Sequence, residues 1–250
     1  MSHFTDVSTS LVGSSLRAWR GTMVTRPARL QPAEPLALYD IEAHTQCRQV
    51  REALTEMDLD AFIFPCPEGG SRFRLDVDVS AKYPYLIDPN AGIGLSEPTD
   101  IIDYLADIYD ATPATPGGLL STLGKLSGAL ANGVRGLRGR QARRSVAPEQ
   151  PLELFSFESS PYSRLVREVL CELELPYLLR NAGKARWSDM GPPLVRDQLL
   201  KAPKDTGRNR KLLHERTGRV QFPYLIDPNT GTEMFESAAI VDYLETRYAR

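Results

Sequence analysis

Glu158-Ser159-Ser160-Pro161-Tyr162-Ser163-Arg164 stands where a strand-like composition gives way to a helical pattern. Pro161 suits a first helical position, where its missing N–H costs nothing, so Ser160 falls just before the first turn. There the unpaired backbone N–H groups and the positive end of the helix dipole favour an anion. A thiolate brought to the Ser160 hydroxyl would be stabilised by the same field. Serine is also a common plain helix cap, so this motif alone leaves both readings open. Phe222-Pro223 begins a strand-like run, a place where proline is tolerated because the missing ladder donor matters little. If that peptide bond is cis, which is rare, the N–H and C=O of Phe222 face outward and can pair with an extended peptide. Glu236-Ser237 then precedes the last helical pattern. The pair can cap that helix, and it can equally hold an ammonium and a carboxylate.

The elements that must position these residues come from an internal repeat. Pro-Tyr-Leu-Ile-Asp-Pro-Asn occurs at 84–90 and again at 223–229, and IIDYL at 101–105 matches IVDYL at 240–244 at the same separation. Upstream, PLALYDIEAHTQCRQVREAL at 35–54 matches PLELFSFESSPYSRLVREVL at 151–170. Each copy reads as β-α-β, a connection, then β-β-α. Strands are expected at 36–41 and 152–157, at 59–65 and 175–180, and at each PYLI. A helix begins near Thr45 in one copy and Pro161 in the other. Its apolar face is Val50, Ala53, Leu54 and Met57 in the first copy, and Leu165, Val166, Val169, Leu170 and Leu173 in the second. The second copy carries an insertion between 181 and 220 that is basic, is broken by Gly191-Pro192-Pro193, and predicts one or two short helices. The chain thus divides into an N-terminal extension (1–34), a first domain (35–110), a linker (111–150) and a second domain (151–250). In the linker Leu119, Leu123, Leu126, Leu130, Val134 and Leu137 recur at helical steps. Its arginines read as a solvated face, or alternatively as a patch for an acidic partner or membrane surface.

With 250 residues, 42% hydrophobic and 25% charged, the chain is long enough for two small globular domains. A net charge of −2 argues against general nucleic-acid binding. Cys47, Cys66 and Cys171 have no metal-type spacing, so no metal is expected, and three thiols suit a reducing compartment. No apolar run reaches the roughly 20 residues that span a bilayer. The default expectation is a cytoplasmic protein. The Ser/Thr-rich N-terminus, with Arg17, Arg20, Arg26 and Arg29 against Asp6, keeps organellar targeting as the alternative.

The spacing SPYS…FP…ES resembles the glutathione-binding thioredoxin-like domain of glutaredoxins and of the N-terminal half of glutathione transferases. Ser160-Pro161-Tyr162-Ser163 stands where the glutaredoxin motif reads CPYC. The resemblance implies an α/β fold of two tandem thioredoxin-like domains (βαβ–ββα) joined by a partly helical linker. It implies glutathione as ligand or co-substrate, with the Ser160 hydroxyl on its thiolate, Phe222 before a cis-Pro223 on its cysteinyl backbone, and Glu236 and Ser237 on its γ-glutamyl group. Gln221 and Arg219 are the candidates for the glycyl carboxylate. The activity so implied is that of a serine-type glutathione transferase conjugating glutathione to a small electrophile. A serine at position 160 is unsuited to a glutaredoxin-type reaction, which needs a cysteine nucleophile.

The match departs from the family at two points. The second copy ends at Arg250, so the all-helical domain that supplies most of the electrophile pocket is not expected. The first copy looks degraded: His44 replaces Ser160, and alignment sets Glu97 on Glu236 but Pro98 on Ser237. The alternative function is therefore a non-catalytic one, with the second domain reading glutathione while the first domain or the linker docks a partner. Thioredoxin-like domains of this family also pair, so a homodimer is one assembly to test. His44 reads as a structural loop histidine or a base. Cys47, near a helix start, reads as a redox thiol able to take up glutathione or as an unreactive buried one, and Cys171 reads as core.

Overall fold

The largely apolar run at Leu36–Asp40 and the helical pattern after it fold as the repeat predicts. The computed structural model describes residues 20–73, 82–112, 138–186 and 205–250. The first copy comprises β1 (Leu36–Asp40), α1 (Thr45–Met57), β2 (Ala61–Pro65), β3 (Tyr85–Asp88), β4 (Ile93–Leu95) and α2 (Pro98–Ile108). The second comprises β5 (Leu152–Ser156), α3 (Pro161–Glu172), β6 (Tyr177–Asn181), α4 (Arg208–Thr217), β7 (Tyr224–Asp227), β8 (Thr232–Phe235) and α5 (Ser237–Tyr248). In each copy the first two strands pair in parallel across the crossover helix, and the last two join antiparallel on the other side. Val50, Leu54 and Met57 of α1 and Val166 and Leu170 of α3 are sealed from solvent, as their spacing predicts. Each such side chain contributes about 1.5–3 kcal/mol of burial. Of the 181–220 insertion, α4 is the helix among the described residues. The predicted linker helix over Leu119–Leu137 lies outside them.

The two domains do not merely follow one another. Strand β2 pairs antiparallel with β6, so a single eight-stranded sheet runs β4-β3-β1-β2-β6-β5-β7-β8. Phe62 lies opposite Leu178, with Ala61 opposite Leu179 and Ile63 opposite Tyr177. Phe62 and Leu178 are themselves equivalent residues of the repeat, because Leu36 pairs Ala61 as Leu152 pairs Tyr177. A pseudo-twofold axis therefore passes between them, and each domain covers the sheet edge of the other.

The repeated heptapeptide earns its sequence identity structurally. The carboxylate of Asp88 accepts from the hydroxyls of Tyr104 (2.9 Å) and Tyr109 (2.5 Å), and that of Asp227 accepts from Tyr243 (2.6 Å) and Tyr248 (2.5 Å). Asn90 and Asn229 close Asx turns on those aspartates and tie down the backbone at Glu34 and Gln150 respectively. Each PYLIDPN thus fastens the closing helix to its own sheet. Burial acts to raise the pKa of both aspartates, but the donated hydrogen bonds outweigh it and leave both below the usual range.

Across the axis, charges are buried in reciprocal pairs. Arg51 of α1 donates to Glu158 of the second copy (3.0 Å), and Arg167 of α3 donates to Glu42 of the first (3.2 Å). Each guanidinium also reaches its own copy: Arg51 bonds the Glu42 carbonyl (2.9 Å) and Asp40 (2.6 Å), and Arg167 bonds the Glu158 carbonyl and the Ser156 hydroxyl (both 3.0 Å). Both arginines are 1% exposed. Burial by itself would raise the Glu158 pKa, but Arg167, Arg51 and Arg48 hold it down at about 2.

The segments before each copy cross the axis as well. Residues 20–24 run beside the second copy, where Val24 donates to the Lys184 carbonyl (2.9 Å) and Lys184 donates to that of Thr22 (2.8 Å). Residues 138–142 run beside the first copy, where Glu68 donates to Arg140 (2.7 Å) and Ala142 donates to Glu68 (2.8 Å). Gly21 and Gly139 have φ of 70° and 74°. A Cβ on Gly21 would stand 2.8 Å from that of Glu158, so only glycine passes there. The linker arginines read as a solvated face include two that are paired: Arg140 meets Glu68 at 2.7 Å and Arg143 meets Glu245 at 2.6 Å.

Arg51→Met leaves the buried Asp40 carboxylate without its guanidinium and takes one partner from that of Glu158, and is expected to cost about 3–5 kcal/mol in urea unfolding. Because the folded pKa of Glu158 lies below its ordinary value, its contribution is complete above the normal carboxylate range. It is lost as the pH falls from there toward about 2. Acid titration followed by circular dichroism should show this loss in the wild type and a blunted one in Glu158→Gln. Asp227→Ala, which orphans Tyr248, is expected to cost about 1–3 kcal/mol in the same urea assay.

Candidate functional site

Sheet register brings the three candidate stretches of the second copy to one end of the fold. Phe155, near the end of β5, is the partner of Tyr224 at the start of β7, and Tyr224 is the partner of Phe235 at the end of β8. Their rings pack in a row, edge-on and tilted, with centroids 5.9 and 4.4 Å apart. Pro223 and Glu236 adjoin this row in the chain, and Ser160 follows Phe155 by five positions.

Ser160 is the N-cap of α3 and is 3% exposed. Its hydroxyl oxygen accepts from the Ser163 N–H at 3.3 Å. Accepting with the oxygen leaves the O–H proton free in chemistry to donate. The Phe222–Pro223 bond is cis, as is its counterpart Tyr83–Pro84. The Phe222 ring packs edge-on to Phe157 at 5.8 Å, and the Arg210 guanidinium lies over it at 4.9 Å. Arg210 is fixed by donating to the carbonyls of Ala182 (2.8 Å) and Gly183 (3.1 Å). It comes from the inserted helix α4, and no motif in the sequence points to it.

Glu236 caps α5 with φ of 73°, in the left-handed region that an L side chain enters at a cost of about 1–2 kcal/mol. Its equivalent Glu97 caps α2 with an ordinary φ of −88°, followed by Pro98 at the first helical position. The side-chain amide of Gln221 donates to the Glu236 carboxylate. Gln221 is therefore brought to the site, beside Glu236. Arg219 instead lays its guanidinium over the Phe235 ring at 3.9 Å. Ser237 is buried at the helix start.

In the first copy the equivalent positions carry other chemistry. Cys47 is 0% exposed, and burial first, then the nearby Asp40 carboxylate, pushes its thiol well above the ordinary range. Its sulfur accepts from the Ile41 N–H at 3.5 Å and lies 3.6 Å from His44 Nδ1. Both observations favour the unreactive of the two readings of Cys47. Burial, then the charges of Arg51 and Arg140, lower the pKa of His44 and keep its ring neutral. Cys171 lies in the core, as expected.

Beside Gln221, Asp205, His214 and Arg219 help to line an open groove of about 390 Å³, and neither Ser160 nor Glu236 borders it. The cavity at the pseudo-twofold axis, between Arg48 and Arg164, measures only about 10 Å³ and is too small for a peptide ligand. Among the described residues no group of three or more His, Cys, Asp or Glu side chains could hold a metal ion, and no helix is long and apolar enough to cross a membrane.

Residues 38–113 and 154–250 each match the family model described as Glutathione S-transferase, N-terminal domain. No curated protein and no solved structure matches the chain.

If the left-handed φ of Glu236 is imposed by its place, Glu236→Gly relieves it and Glu97→Gly does not. The first variant is expected to be about 0.5–1 kcal/mol more stable than wild type, and the second less stable by a similar amount, in urea unfolding.

Proposed function

Because the chain belongs to the glutathione S-transferase N-terminal domain family, we propose that its second copy binds glutathione and that the protein is a serine-type transferase joining glutathione to a small electrophile. The observation that carries this reading is the convergence of Ser160, cis-Pro223 and Glu236 beyond the Phe155–Tyr224–Phe235 row. Phe222 offers its backbone to the cysteinyl residue, and Glu236, oriented by Gln221, takes the γ-glutamyl ammonium with Ser237 at its carboxylate. Ser160 then donates its O–H to the sulfur. The thiol proton leaves to solvent, and the first turn of α3 adds its unpaired N–H groups to the field that favours the thiolate. Arg210, over the Phe222 ring, and Arg219 place positive charge on the same side.

A thiolate, unlike a protein cysteine, is here a property of the bound peptide, so addition or substitution at an electrophile fits better than disulfide exchange. The second reading is a glutathione-sensing protein that docks a partner without catalysis. It is favoured by the first copy, where Pro98 takes the place of Ser237 and Cys47 is sealed. Glutathione is the ligand in both readings, and a cytoplasmic site of action suits both.

Calorimetric titration should give one glutathione site per chain, abolished by Glu236→Ala. Ser160→Ala should hold the dissociation constant within about twofold while slowing conjugation of a model electrophile about 10–100-fold, the worth of one hydrogen bond to a charged group. Glutathione binding with no turnover above the uncatalysed rate, across a panel of electrophiles, would select the sensing reading.

A further inference from the structure

We propose that the N-terminal arm, residues 20–24, is part of the second copy's site, with Thr22 as a positioning residue that acts on Ser160 through Ser159. This rests on the glutathione reading given above. The two crossing arms are equivalent almost atom for atom. The Ser159 N–H donates to the Gly21 carbonyl at 3.1 Å, as the Ala43 N–H donates to that of Gly139 at 3.4 Å. Met23 bridges Lys184 as Gln141 bridges Glu68. The backbone contacts of the two arms agree, and their side chains differ. Thr22 and Ser159 join their hydroxyls in a buried hydrogen bond. At the mirror position stand Arg140 and Ala43, which has no hydroxyl, and Arg140 turns to Glu68.

The added contact falls on the copy that retains the serine cap, one residue from Ser160. Ser159 is 0% and Thr22 4% exposed. The rest of that loop is also held by the first copy: Thr55 Oγ1 accepts from the Glu158 N–H at 3.3 Å, and Arg51 holds the Glu158 carboxylate. The first copy thus supplies the rigid backing for the loop that presents the Ser160 hydroxyl. A displacement of that hydroxyl by a fraction of an ångström weakens its hydrogen bond to a sulfur without touching the residues that hold the peptide.

The test uses the full chain and glutathione itself, reading the ultraviolet absorbance of the bound thiolate against pH, and kcat and KM with a model electrophile. Thr22→Val should raise the apparent thiol pKa of bound glutathione by about one unit, leaving about tenfold less thiolate below that pKa. It should lower kcat by a similar factor with KM for glutathione within about twofold. Thr22→Ser should restore both values. Ser159→Ala deletes the same contact from the other side, so it should reproduce the shift, and the double variant should be no worse than either single one. Ser159→Ala also keeps the test decisive if Thr22→Val folds poorly. Arg140→Ala, on the mirror arm, should leave the thiolate titration unchanged. A saturable wild-type signal that Thr22→Val or Ser159→Ala leaves unmoved overturns the arm's role alone. A wild type that shows no glutathione binding overturns the glutathione reading on which it rests.

Discussion

The exchange of guanidinium and carboxylate groups across the pseudo-twofold axis constrains everything else in the molecule. Arg51 and Arg167 are each buried to 1% exposure and each meets a glutamate of the other copy. Removing such groups from water costs several kcal/mol per ion, and only complete pairing with good geometry recovers it. Each arginine also meets a carboxylate of its own copy, Arg51 that of Asp40 and Arg167 that of Glu158, so the buried charges of the two copies form one shared network. The β2–β6 pairing and the crossing arms serve the same end, since they fix the two helices at the separation the ion pairs need. The result is one body with an internal partner where two tandem domains would otherwise be loosely strung.

Within that symmetric frame, the departures from symmetry are where the chemistry lies. Ser160, Ser163 and Ser237 stand where His44, Cys47 and Pro98 stand in the other copy. Glu236 adopts a left-handed φ where Glu97 is relaxed. Thr22 meets Ser159, whereas Arg140 at the equivalent position pairs with Glu68. A backbone held in a sparsely populated conformation persists only when its surroundings over-determine it. Here the Gln221 amide and the start of α5 hold Glu236 and provide that determination. The first copy shows the opposite balance: a neutral His44, a sealed Cys47 and a proline helix start, all suited to stability and none to presenting polar groups.

Much of this was legible in the residues. Helix α1 and α3 faces, the strand order within each copy, the Ser160 cap and the alignment of Glu97 with Glu236 follow from spacing and from the repeat, because local periodicity reflects a local core. Other features were misjudged or hidden. Arg48, Arg51 and Glu52 lie off the apolar face of α1 that the spacing marks, yet all are buried. A charge pattern reports only that its carriers need water or a partner, and the partner was on the other copy. Cys47 read equally well as a reactive or an inert thiol, and burial beside Asp40 decided it. Arg210 reached Phe222 from an insertion without periodic signal. The N-terminal extension showed composition but no hint that residues 20–24 would form a bridge to Lys184.

By itself, then, the sequence determined the two βαβ–ββα units, the helix starts at which anions are favoured, and the copy that retains Ser160, Glu236 and Ser237. These depend on contacts within a few turns of helix or on neighbouring strands, which repeat and periodicity encode directly. Only the tertiary structure decided that the units share one sheet, that each arm crosses to the opposite copy, and which buried charges neutralise one another. Those choices join residues more than a hundred positions apart, such as Arg51 with Glu158 and Thr22 with Ser159. Their energies arise from desolvating both partners at once, a property that neither residue carries in its own stretch of chain.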